Sequence, residues 1–233
     1  MKVSAIITAG GAGMRMGTSP RKQFLTLGDR PILAHTIGKF EICEAIDEIV
    51  VTVPPGMIAY TRKNVIKPYS FVKVSAVVKG GEHRQDSVYK GFKVISEDTK
   101  IVVVHDGVRP FVSPEKIEEV VSLCEKYDAV ITGIRSRDTV KQTYRKFVKK
   151  TLERDSILLA HTPQAFKRDI IEKAFKKALM EGFYGTDEAA LVEGLGIKVY
   201  VVTDEETNIK ITSFQDLEIA NWLLERFEMQ KGS

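Results

Sequence analysis

The chain has 233 residues and is 43% hydrophobic, which is enough for one large α/β domain with a sizeable core. Lys and Arg together number 35 and Asp and Glu 31, so the net charge of +4 does not by itself indicate a nucleic-acid or membrane partner. The two cysteines, Cys43 and Cys124, belong to no C-x-x-C motif, so neither a disulfide framework nor a zinc site is indicated. No apolar run approaches the ~18 residues of a membrane span, and residues 3–7 lead into a glycine loop instead of a signal-peptide cleavage region. We therefore expect a cytoplasmic protein that forms a single domain over residues 1–233.

Short runs rich in β-branched residues alternate with helical patterns along the chain. Most of these runs lack the polar alternation of a half-exposed strand, as expected for strands that are buried on both faces of a parallel sheet. The clearest helix begins at Ser113-Pro114, and another begins at Ser213. The pattern predicts an α/β fold with a mostly parallel, doubly wound sheet, in which the functional site lies at the carboxyl ends of the strands. The strand-like runs are residues 3–7, 48–53, 71–78, 101–105, 129–134 and 197–202.

The loop after the first strand-like run combines glycines with cations. It reads AGGAGMRMG over residues 9–17, and Lys22 follows shortly after it. Glycines allow successive backbone N–H groups to face one concave space, and Arg15 and Lys22 add positive charge, which favours a polyphosphate site. The spacing excludes a Walker-A loop, and Met16 occupies the place of the third small residue in a dinucleotide fingerprint. The alternative is a glycine-rich surface turn with solvated cations.

Two later loops also follow strand-like runs. Gly80 and Gly81 free backbone groups for the planar edge of a ligand, and Ser87 lies in or next to the first turn of the following helix. Asp106 ends a β-branched run, where a carboxylate could hold Mg²⁺ against phosphate oxygens. The alternatives are an ordinary Gly-Gly turn and an ordinary Asp-Gly turn whose ion-pair partner is Arg109.

Further polar residues lie beside apolar runs. His105 is interpreted as a packing residue at the end of its strand and not as a base, because phosphoryl and nucleotidyl transfers already have a charged nucleophile. Lys210 lies between Ile209 and Ile211, and an ammonium group buried there would need an anionic partner such as a phosphate. Thr186-Asp187-Glu188 is typical of a helix N-cap with acidic residues in the first turn.

The segment 139–154, TVKQTYRKFVKKTLER, breaks the alternation of strands and helices. It is rich in β-formers and cations, lacks an apolar helical stripe and has a turn-like sequence at residues 144–146. We interpret residues 137–156 as a projecting β-arm. Such an arm cannot bury its own Val140 and Phe147, so pairing with a second copy of the chain is expected, and a solvated hairpin is the alternative.

Several short motifs occur in order along nearly the whole chain: A-G-G-x-G-x-R-M with P-x-K-Q, then G-G-x-x-R-x-x-S-V, H-D-x-x-R-P, R-D-T, T-P-Q-x-F, T-D-E-A and N-I-K-x-T. In this combination the chain closely resembles the 2-C-methyl-D-erythritol 4-phosphate cytidylyltransferases of the non-mevalonate isoprenoid pathway. The resemblance implies a Rossmann-like nucleotidyltransferase fold and the transfer of CMP from CTP to methylerythritol phosphate, with release of pyrophosphate. It also implies Mg²⁺ as the cofactor and a homodimer formed through the β-arm.

The resemblance assigns roles to the residues that match the family's motifs. Arg15 and Lys22 would stabilise the transition state, and Arg154 and Lys210 would position the substrate phosphate. Asp106 would hold Mg²⁺, and residues of the arm would reach across the dimer. CTP would bind along Ala9, Gly10, Gly11, Ala12, Gly13, Gly81, Glu82, Ser87 and Gly107, and the acceptor substrate would also contact Thr139, Thr162 and Arg109.

The chain departs from the family's usual P-K-Q sequence, and other functions stay open. It reads Pro20-Arg21-Lys22-Gln23, so Arg21 is an alternative to Lys22 as the loop cation. A ribitol 5-phosphate cytidylyltransferase would share the first loop, V-R-P-F and T-P-Q, whereas R-Q-D-S-V, T-D-E-A and N-I-K favour the methylerythritol enzyme. A non-catalytic nucleotide-binding module is the other alternative, although a module of that kind needs no metal-binding carboxylate beside a cationic clamp.

Overall fold

The computed structural model of the protein describes residues 1–11 and 21–231. Its strands are β1 Val3–Thr8, β2 Thr26–Leu27, β3 Arg30–Pro31, β4 Glu48–Val53, β5 Val74–Lys79, β6 Ile101–Asp106, β7 Ala129–Arg135, β8 Lys141–Tyr144, β9 Phe147–Thr151, β10 Leu158–Lys167 and β11 Tyr200–Thr203. Its α-helices are α1 Ile32–Ile42, α2 Ile58–Thr61, α3 Arg84–Phe92, α4 Pro114–Lys126, α5 Arg168–Glu181, α6 Glu188–Glu193 and α7 Phe214–Lys231. No helix among these residues is long and apolar enough to cross a membrane.

One seven-stranded sheet forms the centre of the molecule, with strand order β11-β7-β10-β6-β1-β4-β5. Neighbouring strands are parallel, except that β10 runs antiparallel to both β6 and β7. Helices α1 and α4 pack on one face of the sheet, and α3, α5 and α6 pack on the other. The structure therefore confirms the predicted α/β fold with a mostly parallel, doubly wound sheet.

The apolar runs seen in the sequence supply the core. Adjacent residues of a strand point to opposite faces, so Ile6 and Val50 contact the cluster around α3 and α5, while Ile7 and Val51 contact the cluster around α1 and α4. All four side chains are inaccessible to solvent. Burial on both faces explains why these strands read as nearly continuous apolar sequence.

Two predicted helix starts are confirmed. Ser113 caps α4, because its side-chain oxygen accepts a hydrogen bond from the backbone N–H of Lys116 at 3.2 Å, and Pro114 is the first helical residue. Before α7, the Ser213 hydroxyl accepts a bond from the N–H of Asp216, and the Asp216 carboxylate accepts one from the N–H of Ser213. These caps fix the point at which each helix leaves the preceding loop.

A third apolar cluster lies beneath one edge of the sheet and joins two loops. Val108, which follows β6, and Ile211, which precedes α7, are both buried in this cluster with Leu223 of α7. The backbone N–H of Ile211 also donates to the carbonyl oxygen of Val108 at 2.9 Å. The segment that carries Lys210 is therefore attached directly beside the loop that carries Asp106.

Strand β10 is the main element that the sequence analysis does not predict. Its central residues, His161, Thr162 and Pro163, interrupt the apolar pattern, and the pairing with β7 shifts register between His161 and Gln164. The peptide bond between Thr162 and Pro163 is cis. A strand with this irregularity does not show the uniform β-branched run by which the other core strands are recognised.

The predicted β-arm is present as a separate two-stranded antiparallel sheet formed by β8 and β9. Every residue of both strands is exposed, including Tyr144, Phe147 and Val148. The pairing of β8 with β9 therefore leaves Tyr144, Phe147 and Val148 in solvent. The prediction that the arm leaves Val140 unburied is wrong in part, because Val140, just before β8, is half-buried.

Candidate active site

A cleft of about 330 Å³ lies at the carboxyl ends of β1, β5 and β6. This is the edge at which open parallel α/β sheets bind ligands. Backbone from the first loop and the Gly-Gly loop forms part of the wall, and charged side chains from other segments complete it. The lining includes Ala9, Gly10, Gly11, Arg21, Lys22, Gln23, Gly81, Glu82, His83, Arg84, Ser87, Asp106 and Lys210.

Ser87 joins the first loop to the Gly-Gly loop. Its hydroxyl accepts a hydrogen bond from the N–H of Gly81 at 2.9 Å and donates to the carbonyl oxygen of His83 at 3.2 Å. A Cβ atom at either Gly10 or Gly80 would lie 2.8 Å from this hydroxyl oxygen, so both glycines are needed for the close approach of the two loops. Ser87 was predicted as a CTP contact, and in this structure its hydroxyl shapes the wall of the cleft.

Gln23 fixes the beginning of the glycine loop. Its side-chain amide donates to the carbonyl oxygens of Ala9 at 2.6 Å and Gly11 at 3.3 Å, and the residue is buried. No local sequence pattern indicates this role of Gln23. Both cations that precede it, Arg21 and Lys22, line the cleft. The predicted site residues Ala12, Gly13 and Arg15 lie outside the described residues.

Asp106 is the centre of a cluster of cations. One of its carboxylate oxygens lies 2.7 Å from Nζ of Lys210 and 3.7 Å from Nε of Arg109, and the other lies 3.1 Å from Nε of Arg84. Its backbone N–H donates to the hydroxyl of Thr162 at 3.0 Å. Lys210 was predicted to need an anionic partner, and Asp106 is such a partner within the chain.

The same cluster determines the charge state of Asp106. Burial alone would raise the pKa of this carboxyl, but the charges of Arg84 and Lys210 outweigh the effect of burial, so its pKa lies well below the usual range. Asp106 is therefore an ionised carboxylate in the wall of the cleft, available as an oxygen ligand. The side chain of Lys210 remains about 39% exposed, so an incoming anion can reach it.

Arg84 links Asp106 to a second carboxylate, and the sequence analysis assigned neither Arg84 nor its partner to the site. Its NH1 atom lies 2.6 Å from an oxygen of Glu188, which is completely buried. Burial raises the pKa of Glu188, and the paired guanidinium of Arg84 opposes this effect. The N-cap interpretation of this segment is confirmed, because Asp187 caps α6 by accepting from the N–H of Ala190. The contact between Glu188 and Arg84 is additional and joins residues that are far apart in sequence.

Arg109 and Thr162 contact Asp106 but do not line the cleft. The guanidinium of Arg109 is buried and donates to the carbonyl oxygen of Asn208 at 2.6 Å, and the side chain of Asn208 donates to the carbonyl oxygen of Thr162 at 2.9 Å. The Asn208 amide also donates to Asp204 at 2.8 Å. These bonds hold the segment that leads to Lys210 against the strand that carries Thr162. Asn208, present in the N-I-K motif, was missed as a positioning residue.

Comparisons with known proteins identify the family. The sequence model of the 2-C-methyl-D-erythritol 4-phosphate cytidylyltransferase family matches residues 3–226. The chain belongs to this family. It is 44% identical to the enzyme of that name from Syntrophus aciditrophicus over 228 residues, with 97% of each chain covered, and 44% identical to the one from Pelotomaculum thermopropionicum, with 94% and 92% covered.

Solved structures give the same result. A 4-diphosphocytidyl-2C-methyl-D-erythritol synthase from Anaerococcus prevotii has a TM-score of 0.85 and 34% identity, with 96% of each chain covered. The cytidylyltransferase from Francisella tularensis has a TM-score of 0.81 and 35% identity, with 95% of this chain and 99% of that chain covered. These matches confirm the resemblance seen in the motifs and identify the activity as that of a cytidylyltransferase. They also decide against a non-catalytic binding module.

Five predicted site residues do not line the cleft of their own chain: Arg109 and Thr162, which contact Asp106, and also Gly107, Thr139 and Arg154. Gly107 is buried beneath the cleft, where a Cβ atom would lie 2.9 Å from the side chain of Leu33 and 3.1 Å from the carbonyl oxygen of Thr8. Thr139 and Arg154 are exposed at the base of the β-arm, and NH1 of Arg154 donates to the carbonyl oxygen of Arg137 at 3.3 Å. In this cytidylyltransferase, the two arm residues are therefore displayed on a projection of the chain.

The side chains of the cleft fit a Mg²⁺ ion only when other oxygen ligands accompany it. Over residues 1–11 and 21–231, no group of three or more His, Cys, Asp and Glu side chains could hold a metal ion. Mg²⁺ commonly binds through one or two carboxylates together with phosphate oxygens. Asp106 and Glu82 both line the cleft, and Asp106 is ionised. The site therefore fits a cation that arrives bound to a nucleoside triphosphate.

His105 is confirmed as a packing residue. It is inaccessible to solvent, its ring lies 4.9 Å from that of Phe40, and its Nε2 atom lies 3.1 Å from the carbonyl oxygen of Arg109. Burial lowers the pKa of His105 to about 4. The neutral ring therefore supports the loop after β6 and is not placed to accept a proton from a substrate in the cleft.

Replacing His105 by Gln should make folding stability less dependent on pH. In the unfolded chain this imidazole binds a proton near pH 6.5, whereas in the folded chain it does so only near pH 4. As the pH falls from 6.5 to 4, the unfolded state binds more protons, and the wild type should lose on the order of 2–3 kcal/mol that His105→Gln does not lose. Urea denaturation of both proteins at several pH values in this range measures the difference. A difference in the free energy of unfolding that does not change with pH would contradict the burial of a neutral imidazole.

Proposed function

We propose that the cleft around Asp106 carries out the family's reaction with Mg²⁺ as its cofactor. The reaction transfers CMP from CTP to the 4-phosphate of 2-C-methyl-D-erythritol 4-phosphate and releases pyrophosphate. The observation that carries this proposal is the ionised carboxylate of Asp106, which faces a glycine-lined cleft and is surrounded by cations from other segments of the chain. A cleft of this kind suits two phosphate-bearing substrates that must come together despite their negative charges.

The chemistry needs positioning and charge stabilisation more than proton transfer. A phosphate oxygen of the acceptor attacks the α-phosphorus of CTP, a new P–O bond forms, and the bond to the departing pyrophosphate breaks. The nucleophile is already an anion, so no general base is required, in agreement with the buried and neutral His105. Preorganised positive groups are then the main source of rate enhancement.

The charged residues of the cleft have distinct roles in this proposal. Lys22, together with the predicted Arg15, stabilises negative charge that develops on the transferred group. Lys210 lies within 2.7 Å of Asp106 and is partly exposed, so it can turn to the phosphate of the acceptor and position it. Asp106 holds the metal ion, and when bound Mg²⁺ offsets charge on the triphosphate. The backbone N–H groups of the glycine loop bind the phosphates of CTP.

The β-arm completes the site of a second subunit. Tyr144 and Phe147 at its tip expose apolar surface that a partner chain would bury, and β8 and β9 pair with no other strand in the described part of their own chain. Arg154 and Thr139 lie at the base of the arm and outside the cleft of their own chain. In a homodimer formed through the arms, these two residues reach the cleft of the partner and contact the acceptor substrate.

An assay of the purified protein with CTP and Mg²⁺ tests the reaction and the loop cation together. We expect pyrophosphate release with methylerythritol phosphate, little release with ribitol 5-phosphate, and loss of activity on chelation of the metal that added Mg²⁺ restores. Lys22→Ala should lower kcat by more than ~10²-fold, as loss of one transition-state donor does elsewhere, and Arg21→Ala should have a much smaller effect.

Each part of this assay has an outcome that would contradict the proposal. Turnover with ribitol 5-phosphate alone would overturn the choice of acceptor. Full activity in the presence of a chelator would overturn the metal requirement. A larger loss in Arg21→Ala than in Lys22→Ala would show that Arg21 is the loop cation.

Mixing two inactive variants tests whether the arm completes the site of the partner. Lys22→Ala damages the cleft and leaves the arm intact, whereas Arg154→Ala damages the arm and leaves the cleft intact. When the two proteins are mixed and allowed to exchange subunits, half of the dimers are mixed, and each mixed dimer has one intact site. Activity should recover to about a quarter of the wild-type value per subunit. No recovery, with exchange verified by native mass spectrometry, would show that Arg154 acts within its own chain.

A further inference from the structure

We infer that Glu188 is a positioning residue whose buried negative charge keeps Asp106 able to accept a divalent cation, acting through Arg84. This inference rests on the proposed role of Asp106 in binding Mg²⁺. Glu188 does not line the cleft, so it acts on the metal site through the guanidinium that it shares with Asp106. It is therefore distinct from the residues that touch the substrates.

The need for a second carboxylate follows from the charges around Asp106. Arg84, Lys210 and Arg109 place nitrogen atoms 3.1, 2.7 and 3.7 Å from its oxygens. A carboxylate among several fixed cations is a poor ligand for a doubly charged ion, because the same cations repel that ion. Glu188 lies 2.6 Å from Arg84 and cancels its charge. Because the charges of Arg84 and Glu188 offset each other, the surroundings of Asp106 are less positive and repel a metal ion less.

The shared guanidinium also has a defined geometry. Arg84 uses Nε for Asp106 and NH1 for Glu188, so the two carboxylates divide its donors. Glu188 holds the guanidinium toward α6. If Glu188 lost its charge, the guanidinium of Arg84 would bind Asp106 more strongly. A metal ion would then have to compete with Arg84 for the Asp106 carboxylate.

A purely structural role does not account for the burial of Glu188. Asp187 already caps α6, and an acidic residue in the first turn of a helix favours the helix equally well from an exposed position. Glu188 is instead fully buried, and its second oxygen, Oε1, has no hydrogen-bond partner within the described part of the chain. Burying an oxygen without a hydrogen-bond partner costs free energy. Since Glu188 is buried in spite of this cost and forms an ion pair with Arg84, we assign it an electrostatic role.

Hydrogen bonds made by other residues fix the segment before Glu188 without help from its charge. The Gln85 amide donates to the carbonyl oxygen of Phe183 at 3.1 Å, and its oxygen accepts from the N–H of Gly185 at 2.9 Å. Gln164 donates to Asp187 at 2.8 Å. Because these bonds remain when Glu188 is replaced by Gln, the variant should keep the same backbone and change only the charge.

Binding of Mn²⁺ in the presence of CTP and without acceptor tests the inference, because it needs no turnover. Free Mn²⁺ is measured by electron paramagnetic resonance. We expect Glu188→Gln to weaken Mn²⁺ binding about tenfold, since one buried unit charge near a divalent ion is removed. Glu193→Gln is the matched control: it removes an exposed carboxylate from the same helix and should bind Mn²⁺ as the wild type does.

The double variant Arg84→Gln/Glu188→Gln separates charge balance from a structural role. It removes one cation and one anion together, so Mn²⁺ affinity should return to within about threefold of the wild-type value. If Glu188→Gln alone does not fold, this double variant, in which neither charge of the pair is left without the other, carries the test. Wild-type affinity in Glu188→Gln, or no recovery in the double variant, would overturn the inference.

Asp106→Asn distinguishes failure of this inference from failure of the proposed function. If Mn²⁺ binding with CTP is the same in the wild type and Asp106→Asn, then Asp106 is not the metal ligand, and the proposed function loses its metal site. If Asp106→Asn abolishes binding and Glu188→Gln leaves it unchanged, then only the role of Glu188 is wrong.

Discussion

A buried carboxylate at the end of a central strand organises this molecule's site. Asp106 ends β6 and lies opposite Thr8 in the pairing with β1, so the sheet itself places it at the edge where the cleft opens. A buried carboxylate is stable only if it is paired, and Asp106 meets this requirement with Arg84 and Lys210 from two other segments. Arg84 is 22 residues from Asp106 in sequence, and Lys210 lies much farther along the chain. The same contacts concentrate positive charge where two anionic substrates must meet.

The rest of the architecture holds these segments in place. Gln23 fastens the glycine loop and Ser87 the Gly-Gly loop, each with hydrogen bonds to backbone groups. The buried pair Val108 and Ile211 attaches the Lys210 segment beside β6. Neutral contacts thus fix the backbone, while the charged side chains are left to face the cleft. This division suits a reaction in which the protein supplies position and electrostatic stabilisation. The β-arm is different, because the apolar side chains of its two strands, Tyr144, Phe147 and Val148, project into solvent.

The sequence predicts the sheet and the location of the site, but not the contacts that assemble it. Continuous β-branched runs reveal the core strands, and a strand-end Asp106 is recognisable because parallel strands end at one edge. Strand β10 is missed because Thr162 and Pro163 interrupt its pattern. The need of Lys210 for an anion follows from its apolar neighbours, whereas its actual partner depends on tertiary packing. Glu188 reads as a first-turn acid, and no local pattern indicates its contact with Arg84, which is 104 residues away in sequence.

The pKa of the Asp106 carboxyl in the metal-free protein tests this account most directly. The ¹³C chemical shift of its carboxyl carbon can be followed as the pH is lowered while the protein remains folded. Exposed carboxyls should titrate near their usual pKa values of about 4, whereas Asp106 should stay ionised well below them because Arg84 and Lys210 surround it. A midpoint for Asp106 at or above about 4 would mean that burial outweighs its cations, and the carboxylate could not then organise the site as described.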